Sequence, residues 1–144
     1  MTDLSWDEFA AGAQACGWVT YAATTGADGR PHVAVVSPGF EPGVIWFGTR
    51  PRTTKAHNLR VNADIAFHWP VGGGSGPGEC FARGVAIIHD TPDQRRAVWE
   101  SGVMPFDLSQ FFGSPENDDH LFVRTEVTTA SILGPDFVRR RWTP

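Results

Sequence analysis

In the segment ADIAFHWP, the large apolar residues Ile65, Phe67 and Trp69 alternate with Asp64, Ala66 and His68. A period of two sends successive side chains to opposite faces of an extended chain, so this stretch reads as a half-buried strand. The same constraint recurs along the sequence. WVTYAATT and RPHVAVVS flank a glycine-bounded turn at residues 26–29 and read as a hairpin. VIWFGT is a further strand, set off by the turn-forming PGFEPG. CFARGVAIIH and HLFVRTEVTTASIL follow, with DFVRRRW as a terminal one. The expected fold class is mainly β: a six- to seven-stranded barrel with a few short helices.

The helices carry their own start signals. In SWDEFAAGAQACG, Ser5 as N-cap with Glu8 three residues on forms a capping-box pattern. Trp6, Phe9, Ala10 and Ala13 then recur at helical spacing, and Gly17 stops the helix. TPDQRRAVWES has Thr91 as N-cap and Pro92 at the first helical position. VMPFDLSQFFGSPENDD is irregular and becomes acidic. VGGGSGPGE reads as a flexible loop and lacks the Lys-Ser/Thr pair of a phosphate-binding P-loop. At 144 residues the chain fits one domain spanning 1–144.

Several function classes are set aside at this level. A net charge of −4 argues against general nucleic-acid binding. No apolar run approaches the ~18 residues that span a bilayer, and the acidic, polar start MTDLSWDEF is unlike a secretory signal, so the expected location is the cytoplasm. Cys16 and Cys80 make neither a disulfide framework nor a metal-ligand set, and each reads as a small buried hydrophobe in preference to a reactive thiol. The five histidines show no metal spacing, and no nucleophile elbow is present. The RRRW tail reads as a strand end with solvated arginines, its Trp142 available to pack on a neighbouring subunit.

Charge is unevenly distributed, however. Residues 42–63 contain no acid but hold Arg50, Arg52, Lys55 and Arg60, and Lys55 is the only lysine beside eleven arginines. In GTRPRTTKAHNL, Thr49 ends a strand, Pro51 turns the chain, and Thr53 or Thr54 can cap the next helix. Free N–H groups at that helix start, threonine hydroxyls and the Lys55 and Arg52 charges together suit a phosphate. The same residues also fit a solvated basic turn capped by threonine.

The order of elements, with WFGT, TTKAHNL and NADIAFHWP in succession, resembles the FMN-binding split-barrel superfamily. That group includes pyridoxamine 5′-phosphate oxidase, the related general stress proteins and the deazaflavin-dependent reductases. The resemblance implies a split β-barrel and a flavoprotein acting by hydride transfer on a small molecule, with FMN held at a homodimer interface. It assigns the phosphate to Gly48, Thr49, Thr54 and Lys55, with Arg52 or Arg50 supplying a charge that the oxidase carries immediately before its lysine. It also implies contacts to the ring and ribityl chain from Val33, Val35, Val36 and Ser37, and closure of the pocket by Trp69. The valines and Trp69 suit a plain core role equally well. Glu79 aligns with a family glutamine near the flavin. The arginine sets with which the oxidase reads its substrate are missing here, so the resemblance does not extend to vitamin B6 oxidation. No side chain is singled out as catalytic and no metal is expected. Two other readings remain: a reductase using coenzyme F-420, whose acidic tail would engage Arg50, Arg52 and Arg60, and a non-enzymatic flavin- or heme-binding protein.

Overall fold

A computed structural model describes residues 3–70 and 78–144. The glycine-rich loop expected after Trp69 falls mostly outside the described residues. The strands are β1 (Thr20–Thr25), β2 (Pro31–Val36), β3 (Gly39–Glu41), β4 (Val44–Thr49), β5 (Asp64–His68), β6 (Glu79–His89), β7 (Leu121–Leu133) and β8 (Arg139–Trp142). The helices are α1 (Trp6–Ala15), α2 (Thr54–Val61), α3 (Pro92–Ser101) and α4 (Ser109–Phe112). All strand pairings are antiparallel, in the order β2-β1-β5-β6-β7-β4-β3. β6 runs along one edge of the long β7, while β4 and then β8 share its other edge. The expected mainly β barrel with short helices is therefore present. Sequence reasoning missed β3 and the short α4: β3 lies inside PGFEPG, where glycine and proline mask a three-residue pairing with β4, and α4 is a single turn within the segment read as irregular.

Where β6 passes β7, the register shifts between Arg83 and Gly84. A Cβ at Gly84 would collide with the carbonyl oxygen of Glu126, so the close approach of the two backbones requires glycine there. α1 starts as expected: Ser5 Oγ accepts from the Glu8 amide at 3.1 Å, and Glu8 accepts from the Ser5 amide at 2.8 Å. Its Trp6, Phe9 and Ala13 are buried. β8 closes over this helix. The rings of Trp142 and Trp6 meet edge-to-face at 4.8 Å, and Arg140 reaches Glu8. Trp142 thus packs on α1 of its own chain and remains only partly buried.

Two apolar clusters flank β4. Ile45 and Phe47 point into the barrel with Phe9, Phe67, Trp69, Leu121 and Val123. Val44 and Trp46 point outward to Val98, Met104, Leu108 and Phe122, beneath α3 and α4. The continuous apolar run VIWFGT is the sequence mark of this double burial.

The second cluster borders a buried histidine. His120 is fully buried, stacked on Phe112 at 4.9 Å and edge-on to Trp99 and Phe122, and neither ring nitrogen has a hydrogen-bond partner among the described residues. Burial holds its pKa below the ordinary histidine value; the Asn117 backbone opposes this, the Arg95 and Arg50 charges reinforce it, and Asp119 opposes it weakly. The unfolded chain therefore binds this proton more readily than the folded one. The stabilisation is complete above the unfolded value of ~6.5 and is lost as pH falls below it toward the folded value. The melting temperature should accordingly drop as the pH falls below about 6.5. His120→Phe, which keeps the aromatic stack, should flatten that drop; an unchanged slope would show that other groups control it.

Candidate functional site

The site is built where β4 hands over to α2. Thr49 is buried at the end of β4, and its Oγ1 lies 3.2 Å from Oγ1 of Thr53. Thr53 is the N-cap: its hydroxyl donates to the Arg50 carbonyl at 2.9 Å and accepts from the Ala56 amide at 3.4 Å. The choice between Thr53 and Thr54 is thereby decided. Thr54 and Lys55 become the first two helical residues, whose amides have no intrahelical acceptor. α2 is pinned through its C-terminal half. Asn58 Nδ2 donates to Thr24 Oγ1 of β1 at 3.0 Å in a buried contact, and Arg60 pairs with Asp90 at 2.8 Å.

The cations of this corner divide into two kinds. Arg50 and Arg52 both reach Asp119, one to each carboxylate oxygen, at 2.8 Å. Arg50 also donates to the Phe111 carbonyl at 3.1 Å and sits 5.7 Å above the Phe112 ring. These arginines clamp the β4–α2 turn to the segment leading into β7. Arg52, expected beside the phosphate, is exposed and has this carboxylate as its partner. Lys55 is different. It is half-buried, makes no hydrogen bond or ion pair among the described residues, and burial holds its pKa below the ordinary lysine range.

Beside this corner lies a cavity of about 260 Å³, lined by Trp18, Val35, Val36, Ser37, Gly48 and the aromatic rings of Phe106, Phe111 and Phe112. A Cβ on Gly48 would stand 3.0 Å from the Phe112 ring, so the bare backbone there is what lets α4 close the cavity. The structure thus brings Val35, Val36, Ser37 and Gly48 around one space, with Thr49, Thr54 and Lys55 following directly along the chain. Val33 stays on the exposed face of β2, outside the cavity lining. Trp69 is wholly buried, 5.6 Å from Phe9 and 6.1 Å from both Phe40 and Phe67, and is not among the residues that line this cavity. Its position in the period-two pattern of β5 accounts for the inward direction. Glu79 is held by Arg139 at 2.9 Å and by His68 Nε2 at 3.4 Å, and these partners keep its carboxyl below the usual range.

Sequence reasoning missed Asp119, Trp18 and the three phenylalanines. The signals were present: an acid-rich PENDD run complementary to the arginine-rich turn, and an FDLSQFF segment too aromatic for an ordinary loop. Among the described residues no cluster of His, Cys, Asp and Glu could hold a metal ion, and no helix is long and apolar enough to cross a membrane.

The clamp should have a measurable energy. Its pairs are partly solvated, so each contributes modestly, and Asp119→Ala should lower unfolding stability by about 1 kcal/mol. Urea denaturation checks this, and a change within about 0.3 kcal/mol would show that the clamp contributes nothing to stability.

No protein-family model matches the chain, and no curated protein matches it in sequence. Solved structures do match it in shape. A protein from Clostridium acetobutylicum related to general stress protein 26 of B. subtilis, described as of the pyridoxinephosphate oxidase family, superposes with a TM-score of 0.72 at 12% identity, over 93% of this chain and 91% of its own. A heme binding protein from Mycobacterium smegmatis gives 0.73 at 15% identity, over 99% of this chain but 60% of its own. An F-420 reductase gives 0.59 at 18% identity, over 79% and 89%. The strand order, the helix after β4 and these superpositions agree: the chain has the split β-barrel fold that these proteins share.

Proposed function

We propose that this protein binds FMN across the cavity and the β4–α2 corner, and serves as an oxidoreductase acting by hydride transfer on a small molecule. The observation that carries the reading is Lys55, a half-buried ammonium with no partner among the described residues, beside the free amides of a helix start. An isolated, partly desolvated cation costs free energy that a bound dianion would recover. Thr49, Thr54 and the first-turn amides would add directed donors to the phosphate. The cavity is slightly smaller than the usual range of about 300–1,000 Å³ for ligand pockets. A flavin seated there would extend beyond it, its ring against Val35, Val36 and Gly48 and its phosphate toward Lys55. Bound FMN supplies the redox chemistry itself, while the chain binds and orients it. Ser37 is the one hydroxyl lining the cavity, and none of the lining residues is a general acid or base.

The rival ligands find less support. Coenzyme F-420 gained its case from surplus cations, yet Arg50 and Arg52 are spent on Asp119 and Arg60 on Asp90. A heme would need an axial His, Met, Cys or Tyr, and the cavity lining has none of these.

The reading includes a homodimer. The strand register places Val35, Tyr21, His68 and Phe81 in one cross-strand row, and Val33, Ala23, Ala66 and Arg83 in the next. Val33 and Val35 are 62% and 56% exposed, and Tyr21 is 43% exposed, an apolar surface of the kind that a second copy covers. The chain should elute as a dimer in sedimentation or light scattering, and Val35→Glu should shift it toward monomer. A wild type that remains monomeric at high concentration would end this part of the reading.

The cofactor assignment has a direct test. FMN should bind with a dissociation constant in the micromolar range or tighter, about −8 kcal/mol, and riboflavin much more weakly. Lys55→Ala should weaken FMN binding by about 1.5–3 kcal/mol, roughly ten- to hundredfold, and Lys55→Arg should retain part of the affinity. Apo Lys55→Ala should be as stable as wild type or slightly more so near neutral pH. Burial disfavours the charged lysine in the folded state, and that penalty fades only as pH rises through the lysine range. Fluorescence titration at two salt concentrations reads the affinities, and equal binding by Lys55→Ala and wild type would remove Lys55 from the phosphate site.

A further inference from the structure

We propose that Cys16 and Cys80 form a redox pair whose reversible disulfide fastens the end of α1, and the Trp18 segment on the cavity rim, to β6. Cys16 and Cys80 lie 64 residues apart in sequence, yet their sulfurs are 3.8 Å apart, and neither is engaged in a disulfide. Cys16 is the C-cap of α1 and half-buried; Cys80 is fully buried in β6. A disulfide needs the sulfurs at about 2.05 Å. Closing that gap takes a side-chain rotation and a small backbone adjustment, and the backbone can supply it at this point. The helix ends at Cys16, and Gly17 follows with φ of 133°, a conformation that glycine enters without strain.

The position of the pair gives the bond a consequence. Trp18, two residues beyond Cys16, is 70% exposed and lines the cavity with Val35 and Gly48. Cys80 follows Glu79, which is fixed by Arg139. A bond between them ties an exposed aromatic on the rim to the long β6–β7 ladder.

The chemistry balances with a peroxide as oxidant. The Cys16 thiol, the more exposed of the two, gives up a proton, and its thiolate attacks one peroxide oxygen, forming a sulfenic acid and releasing water. The Cys80 sulfur then attacks the Cys16 sulfur, its proton leaves with the hydroxyl as a second water, and the S–S bond forms. The two sulfurs lose two electrons in total, and the peroxide takes them up. Cys16 is the more exposed thiol and so the first responder, while burial first, and the neighbouring Cys16 second, push the Cys80 thiol up to about 12; Cys80 resolves the sulfenic acid because its sulfur lies 3.8 Å away.

The test treats the purified, reduced protein with hydrogen peroxide at modest excess, then measures free thiols and intact mass without reductant. The expected product is a monomeric chain that has lost two hydrogens and both free thiols, restored by dithiothreitol. Its melting temperature should rise by roughly 5–10 °C, since the bond closes a long loop. Cys16→Ser should retain one inert, buried thiol and show no peroxide-dependent rise in melting temperature. Because Cys80→Ser places a hydroxyl in the core and could fail to fold, Cys80→Ala serves as the second variant, and it should accumulate oxygen on Cys16. Wild type in which Cys16 takes up oxygen while Cys80 stays a free thiol, or in which both thiols survive, would overturn the proposal. Neither readout involves a flavin, so the result stands apart from the cofactor assignment.

Discussion

Burial of β4 on both faces is the constraint from which the site follows. Ile45 and Phe47 are anchored in the barrel, and Val44 and Trp46 beneath the outer helices. A strand gripped in this way has little freedom to slide, because a one-residue slip would exchange its two apolar sets between cores of different shape. Its last residue, Thr49, is therefore delivered to a defined place, and the turn and helix start that follow inherit that precision. Removing a large side chain such as Phe47 would leave a cavity costing about 3–5 kcal/mol, and the loss would reach the site through this strand.

Electrostatics then sorts the basic residues of the corner by partner. Asp119 draws in Arg50 and Arg52, and Asp90 takes Arg60, so three of the four cations between residues 42 and 63 perform structural work. Arginine suits this role because its planar fork can hold a carboxylate and a carbonyl together, as Arg50 does. Lys55, a compact point charge without a carboxylate partner among the described residues, sits at a helix start where the dipole already disfavours a cation. An anion would satisfy both the ammonium and the helix end.

The cavity depends on a different kind of economy. Gly48 has no side chain, Phe112 lies against the space so provided, and Phe112 is in turn stacked on the buried His120. His120 directly follows Asp119, the carboxylate that the two arginines clamp. The aromatic lid, the arginine clamp and the outer core thus form one connected unit, and the barrel core with Trp69 forms another on the far side of β4.

Much of this fold was legible in the sequence because its signals are local. Period-two alternation marks β5, the continuous apolar run marks β4 as buried twice, and Ser5, Thr91 and Pro92 announce their helices by chemistry confined to a few residues. The three-residue β3 carries too few positions to show a period, and its glycine and proline neighbours point to a turn. At the site, the sequence by itself determined the ingredients: a lone lysine, threonines able to cap, and a strand ending in Gly-Thr. Only the tertiary structure decided which charges are already neutralised, since Asp119 is some 70 residues from the turn it clamps. It likewise placed Trp69 in the core and Phe111 and Phe112 on the cavity, and brought Cys16 beside Cys80. Pairing and burial are relations between distant segments, and a linear pattern records which groups exist but not which of them have met.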